Sequence, residues 1–278
     1  DGTYYHSGIT GIRAAVAFYN SGYGMPVLLG REDRVLKTME SLGLPKIEGL
    51  EIHNAKKSTA NKDYTDFLYE RLQRKGSLYR DCQRMVNQER NIFAACMVAM
   101  GDADAMLTGL TRNYYVALDE ITRVLDPRPD EHIFGLSLVL ARDRTLFVAD
   151  TAVHEMPEPT QLADFATQTA TVARRMGQEP RVAFLSFSNF GNPMLERSEV
   201  VRDAVQILDT RRVPFEYDGD MGVDVALNKE LLAHYPFCRL SGPANVLIMP
   251  GLHSSQISTN LLHELGGGTV IGPMLMGL

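Results

Sequence analysis

Cysteine is scarce, and its pattern excludes as much as its number. Only three of the 278 residues are cysteine, Cys82, Cys96 and Cys238. They are scattered, odd in number and form no C-x-x-C pair, so neither a disulfide framework nor a thiolate metal site is encoded. Cys96 lies inside an apolar helical run, and buried free thiols are expected. Histidine offers no metal-ligand spacing either. His253 and His263 stand near opposite ends of one helix and His154-Glu155 falls in a loop, so these histidines read as ordinary surface or capping residues and no metal is expected.

Other signals are also absent. The chain has no run of roughly 18 apolar residues, so no membrane span is expected. Its first residues, DGTYYHSGIT, show no basic cluster followed by an apolar run. No secretory signal is expected, and the cytoplasm is the expected location. No low-complexity tract or internal repeat is found. No G-x-G-x-x-G follows a predicted strand, which removes the main signature of a dinucleotide fold. Ser186 and Ser188 lack a G-x-S-x-G elbow and an evident His/Asp partner, which argues against a hydrolase triad. A net charge of −6 argues against a nucleic-acid surface, though it leaves room for a local basic pocket around a phosphorylated ligand.

What is present is ample core material, 45% hydrophobic residues against 22% charged, in a chain long enough for two domains of about 150 residues each. Phe93 to Leu118 reads as a helix closed by Gly101, a short buried strand Ala103 to Leu107, a turn at Thr108-Gly109 and a second helix beginning near Asn113. Before it come a helix over Ile12 to Tyr19, a strand Pro26 to Leu29, a helix Arg31 to Leu42, a weak strand Leu50 to Ile52, and a helix Tyr64 to Arg74 ending at Gly76. Lys56-Lys57 reads as solvated surface in a loop, while Arg71, Arg74 and Lys75 form a basic helix end.

Asp126-Pro-Arg-Pro-Asp130 is the clearest linker, because its prolines break the preceding helix. It places a first domain at 1–128 and a second at 129–275. Beyond it the pattern predicts strands Ile133 to Leu140 and Leu146 to Ala149 around a turn Arg142-Asp-Arg144. Thr160 to Met176 is an amphipathic helix with Leu162, Phe165, Ala166, Val172, Ala173 and Met176 on its buried stripe. There follow a strand Val182 to Phe187, a loop Ser188 to Pro193, a helix Glu196 to Asp209, and, within Pro214 to Leu227, a strand, an acidic turn Tyr217-Asp-Gly-Asp220 and a short helix. Last come a strand Val246 to Met249, a helix Leu252 to Leu265 with Ile257, Leu261 and Leu265 spaced by four, and Thr269-Val-Ile-Gly-Pro. Alternating strands and helices imply an α/β fold with a largely parallel sheet in each domain.

Several of these segments resemble phosphate acetyltransferases. GDADAMLTGLT is similar to the family's GDADGMVSGAV. Asp150-Thr-Ala-Val153 with Pro157, Pro159 and Leu162-Ala163 resembles DCAV…P-P…LA. Leu185-Ser-Phe-Ser188 resembles LSYS, and Tyr217-Asp-Gly-Asp220 through Asp224-Val-Ala-Leu227 resembles VDGE…DAAL. Gly242-Pro-Ala-Asn-Val246 with Gly272-Pro-Met-Leu-Met-Gly277 resembles GKANV…GPILQG. The version TRNYYVAL is closer to the related domain at the carboxyl end of bacterial hybrid NADP-dependent malic enzymes.

The resemblance implies two three-layer αβα domains with a cleft between them, an isocitrate/isopropylmalate dehydrogenase-like architecture, the second domain being inserted before a carboxyl-terminal return to the first. It also implies a ligand, acetyl-CoA or CoA. That ligand would be positioned by Thr111, Arg112, Asn113 and Tyr114, by Ser186, Ser188, Asn189 and Asn192, and by Ser254, Ser255, Gln256 and Asn260. Self-association into a dimer or higher oligomer, and a malic enzyme domain in the same parent chain, belong to the same expectation.

Departures from the family bear on activity. Its arginine in TADTLRPAL aligns with Asp119. An anion instead of a cation about 5 Å from a phosphate turns an attraction of roughly 3 kcal/mol into a similar repulsion. Arg112 stands where the family has histidine. The GGSGSG loop is here Asn189-Phe-Gly-Asn-Pro193, the PDL aspartate aligns with Gly251, and the NDLSRG segment with its serine and arginine would follow Leu278. The expected function is therefore an acetyl-CoA-binding regulatory module without acetyl transfer. The alternatives are a working phosphate acetyltransferase and an oligomerisation scaffold.

Overall fold

The computed structural model describes residues 3–108, 113–129, 131–141 and 144–278, with side chains from residue 9. The chain divides into two compact units, Asp1–Asp126 and Pro127–Leu278.

In the first unit, short apolar runs between polar loops give helix α1 (Thr3–Asn20), strand β1 (Val27–Leu29), α2 (Glu32–Ser41) and β2 (Glu51–His53). The two strands pair in parallel, Leu28 opposite Ile52. Side chains alternate across a strand, so Leu28 packs toward Ile12, Val16 and Met39 of α1 and α2. Val27 and Leu29 point to the other face, against the helices that follow. These are α3 (Asn61–Leu72), extended by one tight turn to a left-handed Gly76, then α4 (Tyr79–Gln88) and α5 (Arg90–Met100). Tyr64, Leu68, Val86, Ile92, Phe93 and Cys96 form their shared core. Gly101, at φ 83°, closes α5, and α6 (Tyr114–Thr122) starts on the side chain of Asn113.

The strand expected at Ala103–Leu107 does not form. Ala103 and Met106 are only half-buried and Leu107 is 88% exposed. A strand needs a neighbour for its backbone donors and acceptors, and the one described sheet of this unit is the pair β1 and β2. The expected turn at Thr108-Gly109 lies partly outside the described residues, as does that at Arg142-Asp-Arg144.

The second unit comprises β3 (Phe134–Ala141), β4 (Arg144–Ala149), α7 (Pro159–Arg175), β5 (Arg181–Leu185), α8 (Glu196–Arg211) and β6 (Glu216–Met221). It continues with α9 (Val223–Leu227), α10 (Lys229–Leu232), β7 (Val246–Ile248), α11 (Leu252–Gly266) and β8 (Thr269–Met276). One six-stranded sheet runs β6-β5-β7-β4-β3-β8. The first four strands are parallel, while β3 pairs antiparallel with both β4 and β8.

Its apolar runs are buried on both faces, as a parallel sheet requires. Phe147, Val182, Phe184, Val246 and Ile248 face Leu162, Phe165, Ala166, Val201, Ala204 and Leu208 of α7 and α8. Val148, Ala183, Leu185 and Leu247 face Val225, Ala226 and Leu232 of α9 and α10. Each of the larger side chains contributes about 1.5–3 kcal/mol by leaving water.

Three details differ from the sequence reading. Met176 is exposed, because α7 ends one residue earlier and leaves it at the cap. Tyr217–Asp220 is no turn; it is the body of edge strand β6, its two aspartates buried on specific partners. Ile257, Leu261 and Leu265 of α11 point outward, whereas Ser255 and Thr259 are the buried residues of that helix.

Candidate functional site

Neighbouring strands β5 and β7 leave the sheet in opposite directions, β5 through α8 to β6 at one edge and β7 through α11 to β8 at the other. Such divergence opens a crevice at the carboxyl ends of the strands, the usual ligand position in open α/β sheets. Three loops border it here, following β4, β5 and β7.

The loop after β5 is organised by Asp220, which is fully buried. Its carboxylate accepts the Ser188 hydroxyl and the Gly191 amide at 3.0 Å. Its carbonyl takes the Phe190 amide at 2.7 Å, and the Arg202 guanidinium stands 3.9 Å from the carboxylate. Asn189 and Asn192 exchange backbone hydrogen bonds at 3.2 and 3.1 Å, and the Asn189 side chain accepts the Gly222 amide at 2.8 Å. Ser186 and Ser188 lie hydroxyl to hydroxyl at 3.3 Å. Closing this turn requires left-handed backbone at Phe190 and Gly191, and at Gly191 a Cβ would run into Arg202. The structure therefore gathers Ser186, Ser188, Asn189 and Asn192 into one closed turn.

The loop after β4 is organised by Asp150, 2% exposed. It accepts the amides of Gly135 and Ala152 at 2.8 and 2.7 Å, those of Val153 and His154, and His154 Nδ1 at 3.0 Å. Burial pushes its carboxyl upward, but the imidazole and these amides outweigh burial and hold it below the ordinary carboxylate value. Unlike His253 and His263, which are exposed, His154 is no loose surface residue.

The loop after β7 joins the other two. Met249 donates to the Ala149 carbonyl at 2.6 Å and Leu252 to that of Glu155 at 3.1 Å. Arg197, in the first turn of α8, donates to the Pro250 carbonyl at 2.9 Å. Gln256 reaches the Thr151 carbonyl. A Cβ at Gly251 would sit 2.7 Å from the Glu155 carbonyl, so this position needs glycine for the two loops to approach so closely. Ser254 and Ser255 fold back onto the carbonyls of Gly251 and Leu252 at 2.7 and 2.9 Å. Asn260 is exposed one turn further along α11.

In the first unit, Thr111 and Arg112 lie outside the described residues. Asn113 caps α6, its side chain accepting the Tyr115 amide at 2.9 Å, and the Tyr114 ring packs edge-on against Tyr115. Asp119 pairs with Arg123 one turn on, at 2.6 Å. Both line a hollow with Arg84, Glu89 and Val116. Arg71 is committed to Asp126 at 2.7 Å. No group of three or more His, Cys, Asp or Glu side chains placed to hold a metal exists among the described residues.

Sequence reasoning missed Asp220, read as a turn residue, and the pairing of Asp150 with His154. The D-x-x-x-H spacing across a loop was the available signal for the second. For the first, the resemblance of Tyr217-Asp-Gly-Asp220 to the family's VDGE was the available signal.

The fold agrees with the comparisons to known proteins. The profile of the family described as phosphate acetyl/butaryl transferase matches residues 9–278. An NADP-dependent malic enzyme of Rhizobium meliloti is 56% identical over 268 residues, covering 96% of this chain and 35% of that one. A phosphate acetyltransferase of Thermoanaerobacterium thermosaccharolyticum is 30% identical over 277 residues, covering 96% of this chain and 83% of its own. Among solved structures, a phosphotransacetylase from Streptococcus pyogenes superposes with a TM-score of 0.88 at 26% identity, over 96% of this chain and 82% of that one. The chain thus spans about a third of the malic enzyme it matches. With the profile running through both units, the chain belongs to the phosphate acetyl/butaryl transferase family.

Proposed function

We propose that this chain is the phosphotransacetylase-like part of an NADP-dependent malic enzyme, and that it binds acetyl-CoA as an effector without transferring the acetyl group to phosphate. The observation that carries this reading is 56% identity along 96% of the chain to roughly the third of a malic enzyme that it covers. Two local features support it. Asp119 puts an anion, already paired with Arg123, where the family resemblance implies an arginine. The turn Asn189–Pro193 is closed on itself and on Asp220, which suits a fixed cradle for a ligand.

The crevice at the carboxyl ends of β5 and β7 supplies Ser186, Asn189, Asn192, Ser254, Gln256 and Asn260, with Arg197 as a nearby cation, while the buried Ser188 and Ser255 hold the loops through Asp220 and the Leu252 carbonyl. Regulation requires that the ligand favour one state of the parent enzyme over another; the regulated chemistry resides in the malic enzyme part of the parent. Self-association is included in the reading and is supported by the exposed apolar residues Ile257, Leu261 and Leu265 on α11.

Calorimetric titration with acetyl-CoA, followed by an assay of thiol release with added phosphate on the same sample, tests the proposal. Binding without thiol release is the expected outcome. Thiol release would establish the acetyltransferase, the reading favoured by 30% identity to a phosphate acetyltransferase. Absence of binding would leave a scaffold.

A further inference from the structure

His154 is held as a working imidazole is held. Its Nδ1 lies 3.0 Å from a carboxylate oxygen of Asp150, and its ring packs against Phe165 with 5.2 Å between centroids. Its side chain is 22% exposed while that of Asp150 is 2%. Four backbone amides on the Asp150 carboxylate keep it ionised, and an ionised carboxylate can only accept. Nδ1 is therefore the donor nitrogen, and the other, Nε2, has no protein hydrogen-bond partner among the described residues. In the neutral ring Nε2 presents a lone pair; in the cation it presents an N–H carrying positive charge that Asp150 stabilises.

The position matches the crevice. The carbonyl of Glu155, the next residue, accepts the first amide of α11, and Gln256 of that helix reaches Thr151 of the same loop. The surrounding charges are few. Glu155 lies 3.5 Å from His253, and Arg197 of α8 is bonded to the Pro250 carbonyl. From α7, Phe165 brings no charge and Asp164 is committed to His132 and Arg211. The imidazole is thus a partly exposed ionisable group on this loop, with its own counter-charge buried behind it.

We infer that His154 binds the phosphorylated part of the ligand as an imidazolium, Nε2–H donating to a phosphate oxygen, so that affinity for a phosphorylated ligand rises as pH falls. This rests on the reading of acetyl-CoA binding and adds to it a residue, a ligand group and a pH dependence. A charge-assisted hydrogen bond of this kind is among the strong ones.

The test is titration with acetyl-CoA at about pH 6, 7 and 8 for the unaltered chain, His154→Gln and His253→Gln. Taking the ratio of affinities cancels the ligand's own phosphate titration. The unaltered chain is expected to bind about tenfold more tightly than His154→Gln near pH 6 and within about twofold near pH 8. His253→Gln is expected to follow the unaltered chain. A ratio that is the same at every pH would make His154 a structural prop and overturn the inference, as would no difference at all; both leave the functional reading standing. Failure of acetyl-CoA to bind at any pH would overturn both. Independently of any variant, the His154 ring resonances of the unaltered chain are expected to shift on addition of acetyl-CoA. Coincident spectra would count against the contact.

Discussion

Asp150 shows how a single side chain can hold a loop. One buried carboxylate satisfies the amides of Gly135, Ala152, Val153 and His154 and the His154 ring, groups that would otherwise be buried without partners. Asp150→Asn keeps the shape but turns an NH2 toward N–H donors, and is predicted to destabilise the protein by about 3 kcal/mol at neutral pH. Urea unfolding would measure it, and a loss under about 0.5 kcal/mol would refute the role. The sign with pH follows from the lowered carboxyl. Asp150's contribution is complete above its unfolded value of about 3.9 and disappears as pH falls through its lower folded value, so the gap between the two proteins closes in acid. The cysteines are simpler. Burial raises the Cys96 thiol to about 12 and the Cys238 thiol to about 11, and all three thiols are free. The apolar run around Cys96 already implied its burial, whereas Cys238 is only half-buried; the partners of Asp150 could not be read, because they lie in different strands and loops.

At the scale of elements, the loops are set by contacts made across the sheet. Gly251 is extended, so its backbone angles would admit any residue, yet a Cβ there would lie 2.7 Å from the Glu155 carbonyl. Gly251→Ala must push apart the loops after β4 and β7, at a predicted cost of about 1–3 kcal/mol. Because those loops frame the crevice, a loss of acetyl-CoA affinity of about tenfold should accompany it. Thermal melts and calorimetry on the same variant check both, and undiminished affinity would remove the loop after β7 from the site. The segment Tyr217–Asp220 shows why such placements escape a sequence reading. Two aspartates around a glycine suggest a turn, but here Gly219 lets β6 approach Phe184 closely, Asp220 meets Ser188 and Gly191, and Asp218 accepts the Arg239 amide at 2.8 Å.

For the whole molecule, a ligand that binds only the folded chain must stabilise it by mass action. Acetyl-CoA at about a hundred times its dissociation constant is predicted to add about 2.7 kcal/mol and to raise the thermal midpoint with concentration. An unchanged midpoint at such concentrations would refute specific binding. The sequence alone determined the family and most of the succession of helices and strands in the second unit, because periodicity and short motifs are local properties of the chain. The helix read from Phe93 to Gly101, and the strands read at Val182–Phe187 and Val246–Met249, were legible for that reason, to within a few residues at their ends. Tertiary structure alone decided that 103–107 is no strand, that Tyr217–Asp220 is one, that the apolar stripe of α11 faces outward, and that His154 rests on a buried carboxylate. Each of these depends on what lies opposite a residue in space: a pairing edge, a counter-charge or a neighbouring helix. Such partners come from segments distant in the sequence, and only the folded sheet brings them into register.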